Sequence, residues 1–574
     1  MYSPLEDRLS TLTGDLARGM IDVLRRVIDD DEANTWMSAL ELPLDDLLFN
    51  QTIDFWSTLH EIKSNPDRRF AAAVDRADTA YAYMMGLAAL NAPTDNLTLI
   101  APPLDPTIAG ATTPSIADVL RIAFADSEHP EALLRDACRN VLKVTRGKVR
   151  ENRNATILIG RNFDRNYHLD LAELGRGLMQ RGLVIFIPTA ASRDLRKNMV
   201  FLNSLYSDWY DEAYWTPTMA MWTPVPQGNA VLRDMSLPLI VQRMAENRGL
   251  DRAEMALLLF AMQALQRFFG DKIFKLIKAG AMIATRMNDL RPQTIMLLPG
   301  RDYIARVATL AGRAVGSASF DVQTVFVGPR TRYKPTIADV QFALESQSKT
   351  LFRDFFKTPP ERMVLTSCAK FSSVQQSARQ LDRGAIREGL GLTPDQHLIV
   401  FACSPFLDDD RPIIEGLLRS LPAFPAARLG LRLHPTPKPG YHEYVARMAE
   451  TGKGLVLIDD LELAPTLVAC DILITRFSNV GLEAAMLDKD VIACDFVGGV
   501  VPIRLDKMGV AAVAHSPEEL QARLEDFARK GPIWQRLRTD RDSYIAANPQ
   551  LLAPSAAKIM IDAVDDYLRQ MKIV

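Results

Sequence analysis

No stretch of eighteen or more apolar residues occurs in this 574-residue sequence, so no segment reads as a membrane-spanning helix. The nearest run, MALLLFAMQALQRFFG at 255–270, is interrupted by Gln263, Gln266 and Arg267. An excess of one charge sign is equally absent: 67 Lys and Arg stand against 70 Asp and Glu, a net charge of −3. Such a chain has no overall field to draw nucleic acid or an anionic membrane, so no nucleic-acid partner is expected and any anion site must be local. Cysteine is scarce, and Cys138, Cys368, Cys403, Cys470 and Cys494 show no metal-ligand spacing. An odd, scattered set suits reduced thiols, and neither disulfides nor a structural zinc are expected. The opening MYSPLEDRLSTLTGDLARGM is charged throughout and has no apolar centre, unlike a secretory signal. A cytoplasmic protein is the expectation.

What is present is ordinary for a globular protein, 48% hydrophobic and 24% charged. The length exceeds what one core organises, which predicts two or three domains. Apolar residues recur every three or four positions in LARGMIDVLRRVIDD (16–30) and RRFAAAVDRADTAYAYMMGLAAL (68–90), so residues 1–150 are expected to form a mainly helical accessory region. From about residue 150, short apolar runs alternate with helical patterns: NATILIGRNF (154–163), LVIFIPTAA (183–191), TIMLLPGRD (294–302), VQTVFVGPR (322–330) and RMVLTSC (362–368). Helices are expected at 169–182, 303–316 and 338–356. A polar helical stretch at 371–396 reads as a connection, followed by strand-like runs at 397–405, 427–435, 454–460, 471–478, 490–496 and 509–515. Val-, Ile- and Leu-rich runs separated by helices are the pattern of buried parallel strands. The expected architecture is α/β, with one Rossmann-like doubly wound domain at 151–375 and a second at 376–574.

In such sheets ligands sit beyond the carboxyl ends of the strands. The loops there include HPTPKPG after LRL, and RFSNVG before a helix. Pro435 restricts the chain at His434, which is placed to donate to a phosphate or ribose oxygen, or else to satisfy a backbone carbonyl. Ser478 or Asn479 is expected as a helix N-cap, and free N–H groups at a helix start attract anions, although an ordinary cap binds nothing. Gly481 would ease close approach of a ligand. Glu483 would accept from ribose hydroxyls or complement the helix dipole.

RLHP followed by ITRFSNVGLEAAMLDKDVIACDF resembles the nucleotide-binding half of GT-B glycosyltransferases, especially bacterial sialyltransferases, the Kdo transferases of capsule synthesis and the CDP-glycerol glycerophosphotransferase group. The resemblance covers about residues 290–515, is clear in the second domain, and leaves 1–150 unmatched. It implies that His434 and Pro435 contact the CMP moiety, that Ser478 contacts its phosphate, and that Glu483 holds a ribose. Asn479 departs from the usual second hydroxyl residue. It further implies metal-independent transfer without a cofactor, from a nucleotide sugar to a glycan, lipid-linked or protein acceptor, with the C-terminal helix packing back on the first domain.

The acidic pair followed by glycine that supplies the base in those sialyltransferases is not found between 150 and 330. Asp164 in RNFDRNYHLD and Asp302 in PGRDY are the candidates, each equally readable as a solvated loop carboxylate or cap. Arg161, Arg301 and Arg330 end strand-like runs and are either anion contacts or surface charge. Asp408, Asp409 and Asp410 read as a solvated acidic run or helix start rather than a metal site. Arg529, Lys530, Arg536, Arg538 and Arg541 around Trp534 read as a solvated helix face or as a peripheral contact with the inner membrane surface. The implied activity is transfer of a CMP-linked nonulosonic or Kdo-type sugar. A CDP-polyol phosphotransferase, a UDP-sugar epimerase and a non-catalytic binding subunit are the alternatives. The oligomeric state has no signal in the sequence.

Overall fold

The computed structural model describes residues 154–160, 168–188, 283, 287–298, 303–326, 336–404, 407–434, 440–451, 455–457, 461–476, 478–496 and 503–573. The expected helical region at 1–150 lies outside them. The chain divides into two compact units, residues 1–162 with 182–319 and residues 163–181 with 320–574.

Among the described residues two six-stranded sheets carry the fold. The first has the order β2-β1-β3-β4-β5-β6, from β1 (Thr156–Gly160), β2 (Val184–Pro188), β3 (Thr294–Leu298), β4 (Ala318–Val322), β5 (Val340–Ala343) and β6 (Met363–Leu365). Its helices are α1 (His168–Met179), α2 (Tyr303–Ala314) and α3 (Ser346–Asp354). β1 pairs in parallel with β2 and with β3, so the winding reverses at β1.

Two elements differ from expectation. The fourth strand ends at Val322, where a strand was expected to begin, because buried polar Ser319 and Asp321 break the apolar signal of ASFDV. Residues 340–343 are a strand rather than the first turn of a helix. A short run buried on both faces has no period to separate strand from helix. The helix start is set by the carboxylate of Glu345, which accepts from the N–H groups of Gln347 (2.5 Å) and Ser348 (2.6 Å).

α4 (Ala369–Arg379) and α5 (Arg383–Gly389) lead to the second sheet. Its strands are β7 (His397–Ala402), β8 (Ala427–Arg432), β9 (Leu455–Leu457), β10 (Ile472–Thr475), β11 (Asp490–Cys494) and β12 (Ala512–Ala514). Between and after them run α6 (Leu407–Ser420), α7 (Tyr441–Thr451), α8 (Leu463–Ala469), α9 (Asn479–Met486), α10 (Pro517–Ala528), α11 (Pro532–Ala547) and α12 (Ala556–Ile573). The order is β12-β11-β10-β7-β8-β9, and every pairing is parallel.

Strand residues alternate faces. Leu398, Val400, Leu473, Val491 and Ala493 therefore enter one hydrophobic cluster with Phe371 of α4, Leu467 of α8 and Leu482 of α9. Ile399, Phe401, Ile474, Ile492 and Cys494 enter another with Ile413 of α6, Tyr441 of α7 and Leu520 of α10. Helices thus cover both faces. The chain is α/β with two Rossmann-like doubly wound parallel sheets.

α12 packs along α1: Gly177 leaves room for Ile561, Arg181 pairs with Asp565, and Ser555 donates to Glu173. Among the described residues no helix is long and apolar enough to cross a membrane.

Candidate functional site

The second sheet winds from β7 outward through β8 and β9, then crosses back to β10 on the other side of β7. β7 and β10 therefore flank a topological switch point, the place at which sheets of this kind take their ligands. The register places Ala402 between Arg432 of β8 and Thr475 of β10. The loops beginning at 403, 433 and 476 thus leave the sheet along one line. The ends of β8 and β10 are two inter-strand spacings apart, roughly 10 Å.

His434 stands two residues beyond β8, half-buried, on a strand end pinned to β7 by the bond from the Cys403 N–H to the Arg432 carbonyl (2.9 Å). Pro435 lies outside the described residues. Beyond β10, Ser478 is the N-cap of α9 in extended geometry, and its side chain makes no capping bond. It is exposed, and the first turn of α9 holds no acidic residue. Asn479 begins the helix. A helix start with no acid in its first turn and no side-chain cap has the electrostatics of an anion site.

Gly481 and Glu483 face inward. A methyl at Gly481 would collide with Leu505 Cδ1 and lie 3.3 Å from Thr475 Cγ2, so the packing of α9 against β10 and the 503–510 segment itself demands glycine. Glu483 is 1% exposed, with Lys370 Nζ 3.0 Å from Oε1. Neither carboxylate oxygen meets hydrogen-bond geometry, so the contact is an ion pair and Oε2 is buried without a partner. Burial works to lower the pKa of Lys370, but the Glu483 carboxylate, helped by Asp170, holds it above the ordinary lysine value. Asp170, on α1, accepts from the Ala369 N–H with one oxygen, and its other oxygen is buried without a partner. Burial pushes its carboxyl up to about 7, against the pull of that bond.

The Asp408–Asp410 run is a helix start, the first turn of α6. It is not wholly solvated: Asp408 is 93% exposed, but Asp409 and Asp410 are buried. Asp409 Oδ2 receives Arg476 Nη1 at 2.6 Å. Asp410 Oδ2 accepts from Tyr441 Oη at 2.6 Å and from the Ser404 N–H at 2.5 Å. Burial pushes the Asp410 carboxyl up to about 6, opposed by these bonds and by Arg476. Sequence reasoning missed these partners, yet a signal existed. Asp410 falls three, four and seven positions before Ile413, Ile414 and Leu417, on the apolar stripe of its helix.

Asp164 and Asp302 lie outside the described residues, as do Arg161, Arg301 and Arg330. Arg161 and Asp164 follow β1 in the chain, and Arg301 and Asp302 follow β3; the last residues of those strands, Gly160 and Leu298, are register partners at the switch point of the first sheet. Around Trp534, Arg538 pairs with Asp488 and Asp490, Arg541 with Asp488 and Asp542, Arg536 with Asp540, and Arg529 with Glu525. The arginines of the basic cluster are compensated within the chain.

No family model and no curated protein matches this chain. Among solved structures it is similar to a UDP-GlcNAc 2-epimerase from Neisseria meningitidis bound to UDP-GlcNAc, at 12% identity and TM-score 0.46, over 72% of this chain and 99% of that one. It is similar to the S. aureus MnaA structure with UDP, at 13% identity and TM-score 0.45, over 72% and 97% of the two chains. It is also similar to the wall teichoic acid polymerase TagF, at 12% identity and TM-score 0.33, over 51% and 75%. At such identities and scores these likenesses assign no activity, and the two-sheet fold rests on the strand order of this chain.

Proposed function

We propose that this chain is a GT-B-type glycosyltransferase that takes a sugar from a nucleotide donor, CMP-linked and of the nonulosonic or Kdo type, to a cell-surface glycan, lipid-linked or protein acceptor. The observation that carries this reading is the start of α9: a helix N-terminus without acid or side-chain cap, at the switch point of a parallel sheet, with His434 one strand beyond β7. Phosphate is the ligand such a helix start favours, and a histidine on the neighbouring strand end supplies a second donor.

In this account the nucleotide lies over the carboxyl edge of the second sheet. As the bond from the sugar to the phosphate breaks, negative charge grows on the leaving nucleotide, and the α9 N–H groups and His434 stabilise it. The acceptor hydroxyl attacks the oxocarbenium-like sugar and gives its proton to a base. Asp164 and Asp302 are the proposed candidates for that base, because both follow strands that meet at the switch point of the first sheet. The residues of 151–375 would serve the acceptor and those of 376–574 the donor. Transfer would need no metal, so chelation with EDTA leaves turnover unchanged in this account.

The test is thermal stabilisation by CMP, CDP, UDP and GDP, because a ligand that binds only the native state raises its melting point. A CMP-selective shift that His434→Ala abolishes in a folded protein is the expected result. Selectivity for CDP or UDP would replace the donor by a CDP-polyol or a UDP-sugar, and no shift with any of the four would remove the nucleotide reading.

A further inference from the structure

Asp409 and Asp410 are neighbours in sequence, yet they reach apart. Asp409 takes the guanidinium of Arg476, the first residue after β10, two positions before the cap of α9. Asp410 takes the hydroxyl of Tyr441, the first residue of α7, the helix that follows β8 and His434 in the chain. The same oxygen of Asp410 holds the Ser404 N–H in the loop after β7. One turn of α6 is therefore bonded to the loop after β7, to the residue that follows β10 and to the first residue of α7.

Burial makes these bonds matter. The Tyr441 ring is fully buried and its hydroxyl needs a partner, while Asp409 and Asp410 are almost without solvent. Removing one member of such a pair takes a hydrogen bond from a group that water does not reach. The tethers are also selective, since Asp409 acts on the α9 side and Asp410 on the α7 side.

The geometry points to Asp409 and Asp410 as a positioning pair that holds the start of α7, which follows His434 in the chain, and the approach to the Ser478 helix start at a fixed separation for one ligand. Neither residue touches the ligand in this scheme. The proposal rests on the nucleotide reading for the identity of that ligand, whereas the tether itself does not.

The experiment uses the full chain and the variants Asp409→Asn, Asp410→Asn, Arg476→Gln, Arg476→Lys and Tyr441→Phe. Amide hydrogen exchange is followed at 440–446 and 478–482 without ligand, and CMP, CDP, UDP and GDP are titrated into each. Asp409→Asn and Arg476→Gln are expected to speed exchange at 478–482 alone, and Asp410→Asn and Tyr441→Phe at 440–446 alone. Each of these four weakens binding of the nucleotide that the wild type selects by at least about tenfold. Arg476→Lys, which keeps a cation for Asp409, recovers most of that loss. Tyr441→Phe deletes only a hydroxyl and keeps the test valid if a charge variant fails to fold. Unchanged exchange in both segments overturns the tether. Faster exchange with unchanged affinity overturns the positioning role. A wild type that binds none of the four nucleotides defeats the nucleotide reading alone, and the exchange pattern still decides the tether.

Discussion

α6 and α9 begin on either side of one switch point, yet their first turns are opposite in charge. α6 opens with Asp408, Asp409 and Asp410, whereas α9 opens with no acid and an N-cap that makes no side-chain bond. The positive end of the α6 dipole is already answered by carboxylates; that of α9 is not. In the proposed reading, a phosphate would be repelled on the α6 side and received on the α9 side. The buried acids differ too. Those of α6 reach across to neighbouring loops, while Glu483, the fifth residue of α9, is held by Lys370 of α4. A first turn filled with charge organises the protein around it, and an empty first turn is free to take a ligand.

The most direct way to break this contrast is at the base of α9. Lys370→Met leaves the Glu483 carboxylate buried without its counter-charge and is expected to cost about 3–5 kcal/mol by chemical denaturation. The double variant Lys370→Met with Glu483→Leu recovers most of it. A Lys370→Met protein as stable as the wild type would mean that the ion pair does not hold α9.

Asp170 sharpens the contrast between a carboxylate that is paired and one that is kept neutral. Its native pKa of about 7 lies above the ordinary 3.8, so the native state binds the proton more tightly than the unfolded chain. Its stabilising contribution is full below the ordinary value and is lost as pH rises through about 7. Asp170→Asn keeps an acceptor for the Ala369 N–H and cannot ionise. Its stability relative to wild type should improve by about 2–3 kcal/mol between pH 5 and pH 8, read from unfolding curves at the two values. A difference that does not change with pH would show that Asp170 is ionised throughout.

Gly481→Ala pushes a methyl against Leu505 and Thr475 and is expected to destabilise by about 1–3 kcal/mol. Leu505→Ala in the same protein should relieve the clash. The smallest effect compares two caps. Ser516 accepts from the Glu519 N–H at 3.2 Å, so Ser516→Ala should cost about 1 kcal/mol. Ser478 makes no such bond, and Ser478→Ala should leave the melting temperature unchanged while weakening nucleotide binding.

The strands of the second sheet were legible because each is a compact Val-, Ile- and Leu-rich run closed by polar residues. The first sheet was less so. β4 carries Ser319 and Asp321 in its interior, and β5 is a four-residue run with no period of its own. At the site, His434 and the Ser478 cap were visible because Pro435 and the strand-to-helix turn mark them locally. The bonds of Asp409 to Arg476 and of Asp410 to Tyr441 span 67 and 31 residues. No local pattern encodes a partner at that distance; the helix phase shows that Asp410 is buried, not what it meets. The inward placement of Glu483 follows the same rule, since Lys370 belongs to a different helix.

The central claim is that the empty first turn of α9 receives an anion, and Asn479→Asp tests it most directly because stability and binding should move in opposite directions. An acid at a helix start suits the dipole, so the variant should be as stable as wild type or more so, by about 0.3–1 kcal/mol. Calorimetric titration with CMP should show affinity reduced at least about tenfold. A variant that binds CMP as tightly as wild type would contradict the claim and move the anion elsewhere on the sheet edge.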